Sequence, residues 1–314
     1  MSKQIYYKIN STNLGDVLCS TPVIRKISKL YNTKINIIND FSEVLQNSPY
    51  IQKIISTNSF DKKNLINDDE FFESFVLPGQ RNQFNIERKF NTFDIRQIHA
   101  HDLGFSLMPE EMSCDFFPSQ KNNFNLPHQY VVLHTAKNWP NRTWSQDNWQ
   151  KVINYLCNHK VYVVLIGKET VEKDFHTVNK NFYNFHIPYG INLINKHTMS
   201  DCWHILNDSK LFITFDTGPL HLAGTTNAQI LHLGSAKDPR LSAPYRHGTQ
   251  NYKYKNLKGP CDLYCTNNLK YSIKEWNSIN NVPPLIGCLE NKNSFECQPS
   301  VNQVIEYLKE NLPI

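Results

Sequence analysis

Short runs of β-branched and aromatic residues alternate along the chain with segments whose apolar positions fall at helical spacing. That rhythm predicts parallel strands covered by crossover helices. Residues 4–10 read as a first strand. After Gly15, the side chains of Val17, Ile24, Ile27 and Leu30 fall on one helical face, with Pro22 expected in the first turns or at a kink. Residues 34–39 return as a second strand, and 51–56 and 75–77 read as two more, joined by Asn-, Lys- and Asp-rich loops. The polar stretch 121–128, with Pro127, reads as an interdomain linker. Beyond it the pattern sharpens: strands at 130–133, 161–166, 211–215 and 229–233, and helices at 149–159, 200–207 and 302–311.

This rhythm predicts two Rossmann-like α/β domains facing a cleft, with no internal repeat. The expected boundaries are 1–125, then 126–300 including a cysteine-bearing segment at 259–298, then a terminal helix at 301–314. A length of 314 residues agrees, since single cores stop growing near that size. Hydrophobic residues at 40% and charged residues at 19% exclude a disordered chain. The net charge of +5 comes from scattered Lys and Arg without the dense stripe of a nucleic-acid binder, so we expect no nucleic-acid partner and only a weak pull on anionic small molecules or headgroups. The start of the chain lacks the apolar stretch of a secretory signal, which predicts a cytoplasmic protein. No run approaches the length of a membrane helix, so any membrane contact is expected to be peripheral.

Three segments carry chemistry. The strand at 211–215 ends in Asp216-Thr217-Gly218-Pro219-Leu220-His221, where open α/β sheets bind ligands. Thr217 is placed to cap the following helix, Gly218 admits close backbone approach, and Pro219 removes a donor that a first turn leaves unpaired anyway. The remaining N–H groups suit a pyrophosphate, His221 can donate to a phosphate oxygen, and Asp216 suits sugar hydroxyls. An ordinary capped helix with a core histidine would read the same way. Gly15-Asp16 follows the first strand, putting a carboxylate at the cleft either as a general base or as a helix-dipole partner. In Lys137-Asn-Trp139-Pro140-Asn-Arg142-Thr-Trp144, Lys137 or Arg142 can neutralise a leaving phosphate, while Trp139, Trp144 and Trp149 are expected to pack the loop. After Gly167, Glu169 and Glu172 lie where a carboxylate accepts from ribose hydroxyls.

Gly15-Asp16-Val-Leu with Thr21-Pro22, Lys137-x-Trp139-Pro140, Asp216-Thr-Gly-Pro-x-His221-Leu-Ala, and Gly234-x-x-x-Asp238-Pro239 with Tyr245 together resemble the ADP-heptose heptosyltransferases of glycosyltransferase family 9. The resemblance runs from about 5 to 310, weakly over 40–125. It implies a GT-B fold and inverting transfer from ADP-heptose without a cofactor for the chemistry. On that pattern Asp16, beside Gly15, matches the general base, Lys137 the phosphate-neutralising lysine with Arg142 sharing or replacing it, and Asp216 the sugar-hydroxyl acceptor. Thr217, Gly218, Pro219 and His221 match the diphosphate site, and Glu172 the ribose acid, one residue off the expected offset. The expected acceptor is a glycan, such as a lipopolysaccharide core sugar, or a protein hydroxyl. A non-catalytic nucleotide-sugar binder, or the same fold with another donor, are the alternatives.

Cys261, Cys265, Cys288 and Cys297 could hold one structural zinc or iron, the first pair at C-x3-C spacing and the second looser. Family 9 members that modify bacterial autotransporters resemble this segment in carrying a cysteine cluster before the last helix. Four reduced or partly bridged thiols fit the spacing equally. Cys19, Cys114, Cys157 and Cys202 read as scattered, buried small residues.

Overall fold

The computed structural model describes residues 3–11, 13–66, 68–75, 94–120, 124–137, 140–169, 183–261 and 296–312. Within them lie two all-parallel sheets. The first contains β1 (Ile5–Asn10), β2 (Ile35–Ile38), β3 (Ile51–Ile55) and β4 (Glu70–Phe75), ordered β3-β2-β1-β4. The second contains β5 (Tyr130–Leu133), β6 (Tyr162–Leu165), β7 (Gly190–Asn192), β8 (Leu211–Thr214), β9 (Ile230–Leu233) and β10 (Tyr254–Leu257), ordered β10-β9-β8-β5-β6-β7. Read from its β7 edge, the second sheet has the 3-2-1-4-5-6 order of a doubly wound nucleotide-binding sheet. Tyr7 stands opposite Ile37 and Phe72, and Leu133 opposite Leu165 and Ile213. Strands β2, β5, β8 and β9 are buried along their whole length, which is why their sequences are continuous apolar runs.

The helices are α1 (Leu14–Leu30), the short α2 (Ser42–Leu45), α3 (Ile95–Asp102), α4 (Gln146–Asn158), α5 (Met199–Asn207), α6 (Gly218–Ala223) and α7 (Val301–Asn311). Asp94, Ser145, Thr198 and Ser300 cap α3, α4, α5 and α7 by accepting backbone N–H bonds. Helix α1 buries Val17, Ile24 and Ile27 as predicted, but Leu30, at its last position, is 62% exposed. Pro22 sits in the middle of α1, not in its first turns. Proline lacks the N–H that would reach Leu18, and the freed Leu18 carbonyl accepts from the Thr21 hydroxyl at 2.7 Å. The strand expected at 75–77 is β4, which starts earlier and was hidden because Glu70 and Glu73 put an acid on each face; residues 76 and 77 lie outside the described ones.

One core cluster runs from Ile5, Val17 and Ile24 of the first half to Val132, Phe212 and Leu220 of the second. Phe124 and Leu126, in the segment expected as a linker, pack on it. A second cluster lies behind the second sheet, where Trp149 and Ile153 of α4 meet Val304 and Leu308 of α7. Helix α1 also contacts α6 directly across the two halves. No helix among the described residues is long and apolar enough to cross a membrane.

Candidate active site

Strand order reverses between β1 and β4 in one sheet and between β5 and β8 in the other. Crevices for ligands open outside the carboxyl ends of strands at such points. The chain leaves β1 through Ser11 toward α1, β5 through His134 and Thr135, β8 through Phe215 and Asp216, and β9 through Gly234 to Asp238. The residues at these four exits meet because α1 and α6 approach closely. A Cβ on Gly15 would lie 2.9 Å from the His221 ring, and one on Gly218 would lie 2.8 Å from Leu14. Each glycine therefore admits a side chain of the opposite helix.

Asp16 stands half-buried in the first turn of α1. Its Oδ2 accepts from Ser11 Oγ at 2.7 Å and Asn13 Nδ2 at 3.3 Å, and among the described residues no hydrogen bond reaches Oδ1. Burial pushes this carboxyl up, and the bonds from Ser11 and Asn13 and the charge of Lys237 only partly offset it. Its backbone carbonyl accepts from His99 Nε2 at 3.0 Å, so α3 fixes the start of α1. A carbonyl only accepts, so the ring proton is on Nε2 and Nδ1 accepts from Ser74 Oγ at 2.8 Å, while Tyr7 Oη, 3.2 Å from Nδ1, donates to Ser74 at 2.7 Å.

Asp216 is the anionic centre of the other side. Its Oδ2 lies 3.2 Å from Lys237 Nζ and 3.4 Å from Arg142 Nη1, without an aligned hydrogen bond from either. Arg142 also donates to the Asp216 backbone carbonyl at 2.9 Å. Burial would raise this carboxyl, but Lys237 and Arg142 outweigh it and hold Asp216 well below the usual carboxylate range. Behind it, Trp144 and Trp149 pack edge-on against each other at 5.1 Å and against Phe215, fixing the end of β8.

Two histidines complete the cluster. His221 Nε2 lies 3.8 Å from Asp216 Oδ1 and its Nδ1 3.3 Å from Cys19 Sγ. His232 Nδ1 takes bonds from Tyr254 Oη at 2.6 Å and Asn256 Nδ2 at 3.1 Å, while among the described residues Nε2 has no hydrogen-bond partner. Burial lowers them to about 3 and about 4 respectively, so both are neutral at physiological pH. Among the described residues the buried Oγ1 of Thr135 also lacks a partner. Buried polar atoms without partners are costly, and a ligand rich in hydroxyl and phosphate oxygens would supply them.

The other predicted residues divide. Thr217 occupies the N-cap of α6 but caps nothing: its hydroxyl turns back to Thr214 at 3.1 Å, His134 at 3.2 Å and the Phe215 carbonyl. The chain turns out of β8 so tightly that the hydroxyl meets the strand before the helix. Pro219 stands in the first turn of α6, as expected. Lys137 points to the Tyr183 ring at 4.8 Å. Glu172, Trp139, Cys265 and Cys288 lie outside the described residues. Cys261 and Cys297 border a backbone pairing in which Cys261 N–H donates to the Glu296 carbonyl and Gly259 N–H to the Cys297 carbonyl. Among the described residues no three His, Cys, Asp or Glu side chains are gathered for a metal. Cys19 and Cys114, expected to be scattered, pack together beside Ile95. Tyr245 faces Arg96 at 4.9 Å; Arg96 also pairs with Asp94 and reaches the Ala243 carbonyl at 2.7 Å, linking the halves.

Sequence reasoning missed Lys237, His232, His134 and His99. The signal for Lys237 was its place, next to Asp238-Pro239 at the exit of a fully buried strand; for His134 it was the first position past β5. His99 and His232 gave no signal, because only the tertiary fold turns them inward.

The profile of glycosyltransferase family 9 (heptosyltransferase) matches residues 53–271. No curated protein matches the chain. Among solved structures, the iron-containing dodecameric glycosyltransferase TibC of enterotoxigenic E. coli superposes with a TM-score of 0.68 at 16% identity, over 99% of this chain and 77% of that one. A family 9 glycosyltransferase of Veillonella parvula gives 0.62 at 16% identity, over 99% and 98%. The E. coli heptosyltransferase WaaC with ADP gives 0.55 at 13%, over 98% and 100%. The two facing sheets are thus the GT-B arrangement of these enzymes.

Proposed function

Because the chain belongs to glycosyltransferase family 9, we propose that it moves a heptose from ADP-heptose to a hydroxyl of a glycan or protein, inverting the anomeric carbon. Glycosyl transfer is the activity of this family, and its chemistry needs no cofactor. The observation that carries the finer reading is the juxtaposition of two carboxylates in one buried ionic cluster, Asp16 from the β1 exit and Asp216 from the β8 exit, each within the field of Lys237. On this reading residues 1–125 present the acceptor and 126–300 hold the donor, with 301–314 packed behind. TibC was solved in complex with ADP-D-β-D-heptose, which supports that donor class.

Asp16 Oδ1 takes the proton of the acceptor hydroxyl as its oxygen attacks the anomeric carbon. The bond from that carbon to the β-phosphate breaks on the opposite face and ADP departs with the electron pair. Asp216 accepts from sugar hydroxyls. Arg142, aided by Lys137, meets the charge growing on the diphosphate beside Thr217, Gly218 and His221. Pro219 starts the turn that carries His221, and Gly15 keeps α1 close enough for Asp16 to serve. Glu172 is assigned to the ribose. For Cys261, Cys265, Cys288 and Cys297 we assign a structural zinc or iron, supported by the adjoining backbones of the first and last and tested by elemental analysis of the purified protein.

The test is release of ADP from ADP-heptose with candidate acceptors, comparing wild type with Asp16→Asn. Loss of about 10²–10⁴ in turnover with donor affinity kept is expected of a general base. Unchanged turnover in the variant removes the base assignment, and donor binding without turnover in wild type favours a pure binder.

A further inference from the structure

Lys237 has a place in this site that no sequence motif assigned to it. Strand β9 ends at Leu233, and the chain turns at once through Gly234 and Ser235 into a short 3-10 helix, Pro239–Leu241, capped by Asp238. Residues 235–238 are all buried, so the turn carries the lysine side chain inward and leaves it 8% exposed. Burying an ammonium group is expensive unless it is paired. Packing of β9 does not need one, because its own side chains are apolar apart from His232.

The charges explain the expense. The cluster contains two carboxylates, Asp16 and Asp216, and two cations, Arg142 and Lys237. His221 and His232 face it as neutral rings, the Arg96–Asp94 pair lies beyond His221, and the thiol of Cys19 lies one turn along α1 from Asp16. Arg142 is committed to Asp216 through both its carbonyl and its carboxylate. Lys237 touches the same carboxylate oxygen at 3.2 Å, and Asp16 stands beside it because Gly15 meets the His221 ring, whose Nε2 lies 3.8 Å from Asp216 Oδ1. We propose that Lys237 is a positioning residue for glycosyl transfer, a buried cation that bridges the two carboxylates where the start of α1 meets the exit of β8. This rests on the reading of Asp16 as the general base.

The ion works through Asp16, so its removal has a signature that lost packing lacks. Without Lys237, Asp16 is left in a buried site with another carboxylate nearby and no cation of its own, and it ionises only at higher pH. Lys237→Met should therefore move the acid limb of kcat against pH upward, lowering kcat about tenfold or more at pH 6 and less than about threefold at pH 8. Lys237→Arg, which keeps the charge, should restore the wild-type limb. Independently of turnover, the Asp16 carboxyl can be followed by carbon NMR, assigned with Asp16→Asn. Its titration midpoint should rise in Lys237→Met and stay in Lys237→Arg. Lys237→Gln, neutral but able to donate to Asp216, replaces the methionine variant if thermal unfolding shows that variant to be unfolded. A midpoint that does not move in the neutral variant overturns the proposal, even in a protein that transfers sugar. A midpoint that rises in the neutral variant of a protein whose wild type shows no turnover leaves the electrostatic role standing and overturns the glycosyl-transfer reading instead.

Discussion

Two buried polar groups lie back to back across α1, and they differ in how their hydrogen bonds close. Beneath α1, Tyr7 donates to Ser74, Ser74 to His99 Nδ1 and His99 Nε2 to the Asp16 carbonyl, so both ring nitrogens of His99 are used. Above it, the carboxylates Asp16 and Asp216 balance the cations Lys237 and Arg142, yet among the described residues Asp216 Oδ2, His232 Nε2 and the neighbouring Thr135 Oγ1 have no hydrogen bonds. A closed network fixes a scaffold. An open one with balanced charge is stable enough to persist and still has directional valences left for a ligand. Charge balance and hydrogen-bond closure are thus separate properties, and the site has only the first.

Asp216→Ala should break the comparison most sharply. It leaves Arg142 and Lys237 buried without their shared anion, for a loss of about 3–5 kcal/mol in urea unfolding, and abolishes titratable binding of a nucleotide sugar. His99→Leu should cost about 1–3 kcal/mol, because Ser74 and the Asp16 carbonyl lose a partner, yet leave donor affinity unchanged. A donor affinity that falls as far in His99→Leu as in Asp216→Ala would mean that the lower network belongs to the site.

Acidification sharpens the same contrast. Burial lowers His99 to about 4 and His134 to about 3, alongside His221 and His232, all from an ordinary 6.5. Below that ordinary value the unfolded chain binds protons that the folded protein refuses, so stability falls with pH through this window and recovers as pH rises. Each histidine contributes about 0.7 kcal/mol between pH 7 and pH 6, and the pH slope of His99→Leu should be shallower by one such share. A slope equal to wild type would place His99 outside this linkage.

The smallest effect separates the two candidate phosphate cations. Lys137 rests on an aromatic ring, a contact worth about 0.5–1 kcal/mol at exposed sites, so Lys137→Met should lower kcat/KM less than about tenfold. Arg142→Met, which removes a direct partner of Asp216, should lower it about a hundredfold. The reverse ranking would return the phosphate role to Lys137.

Legibility in the sequence followed burial. Strands β5, β8 and β9 are buried on both faces and, His232 and Thr214 apart, read as apolar runs, and the glycine and the aspartate at the β8 exit stood out because ligand loops need them. Helix α3 was hidden, since its buried face carries Arg96 and His99 where a periodic apolar residue is expected. Strand β7, three residues beginning with glycine, and β10, with Lys255 and Asn256, lack any run. Asp16 and Asp216 were found by position. Lys237 was not, because a lysine looks solvent-facing until the turn after β9 closes over it. Thr217 had the right identity for a cap, but the sharp exit from β8 turned its hydroxyl to the strand.

The contact of Gly15 with His221 and of Gly218 with Leu14 also acts as a fulcrum. Any rigid-body rotation of one half on the other displaces atoms in proportion to their distance from that contact. Asp16 and Asp216, one and two residues from the two glycines, keep their separation through such a swing, while the outer strands β3 and β7 travel furthest.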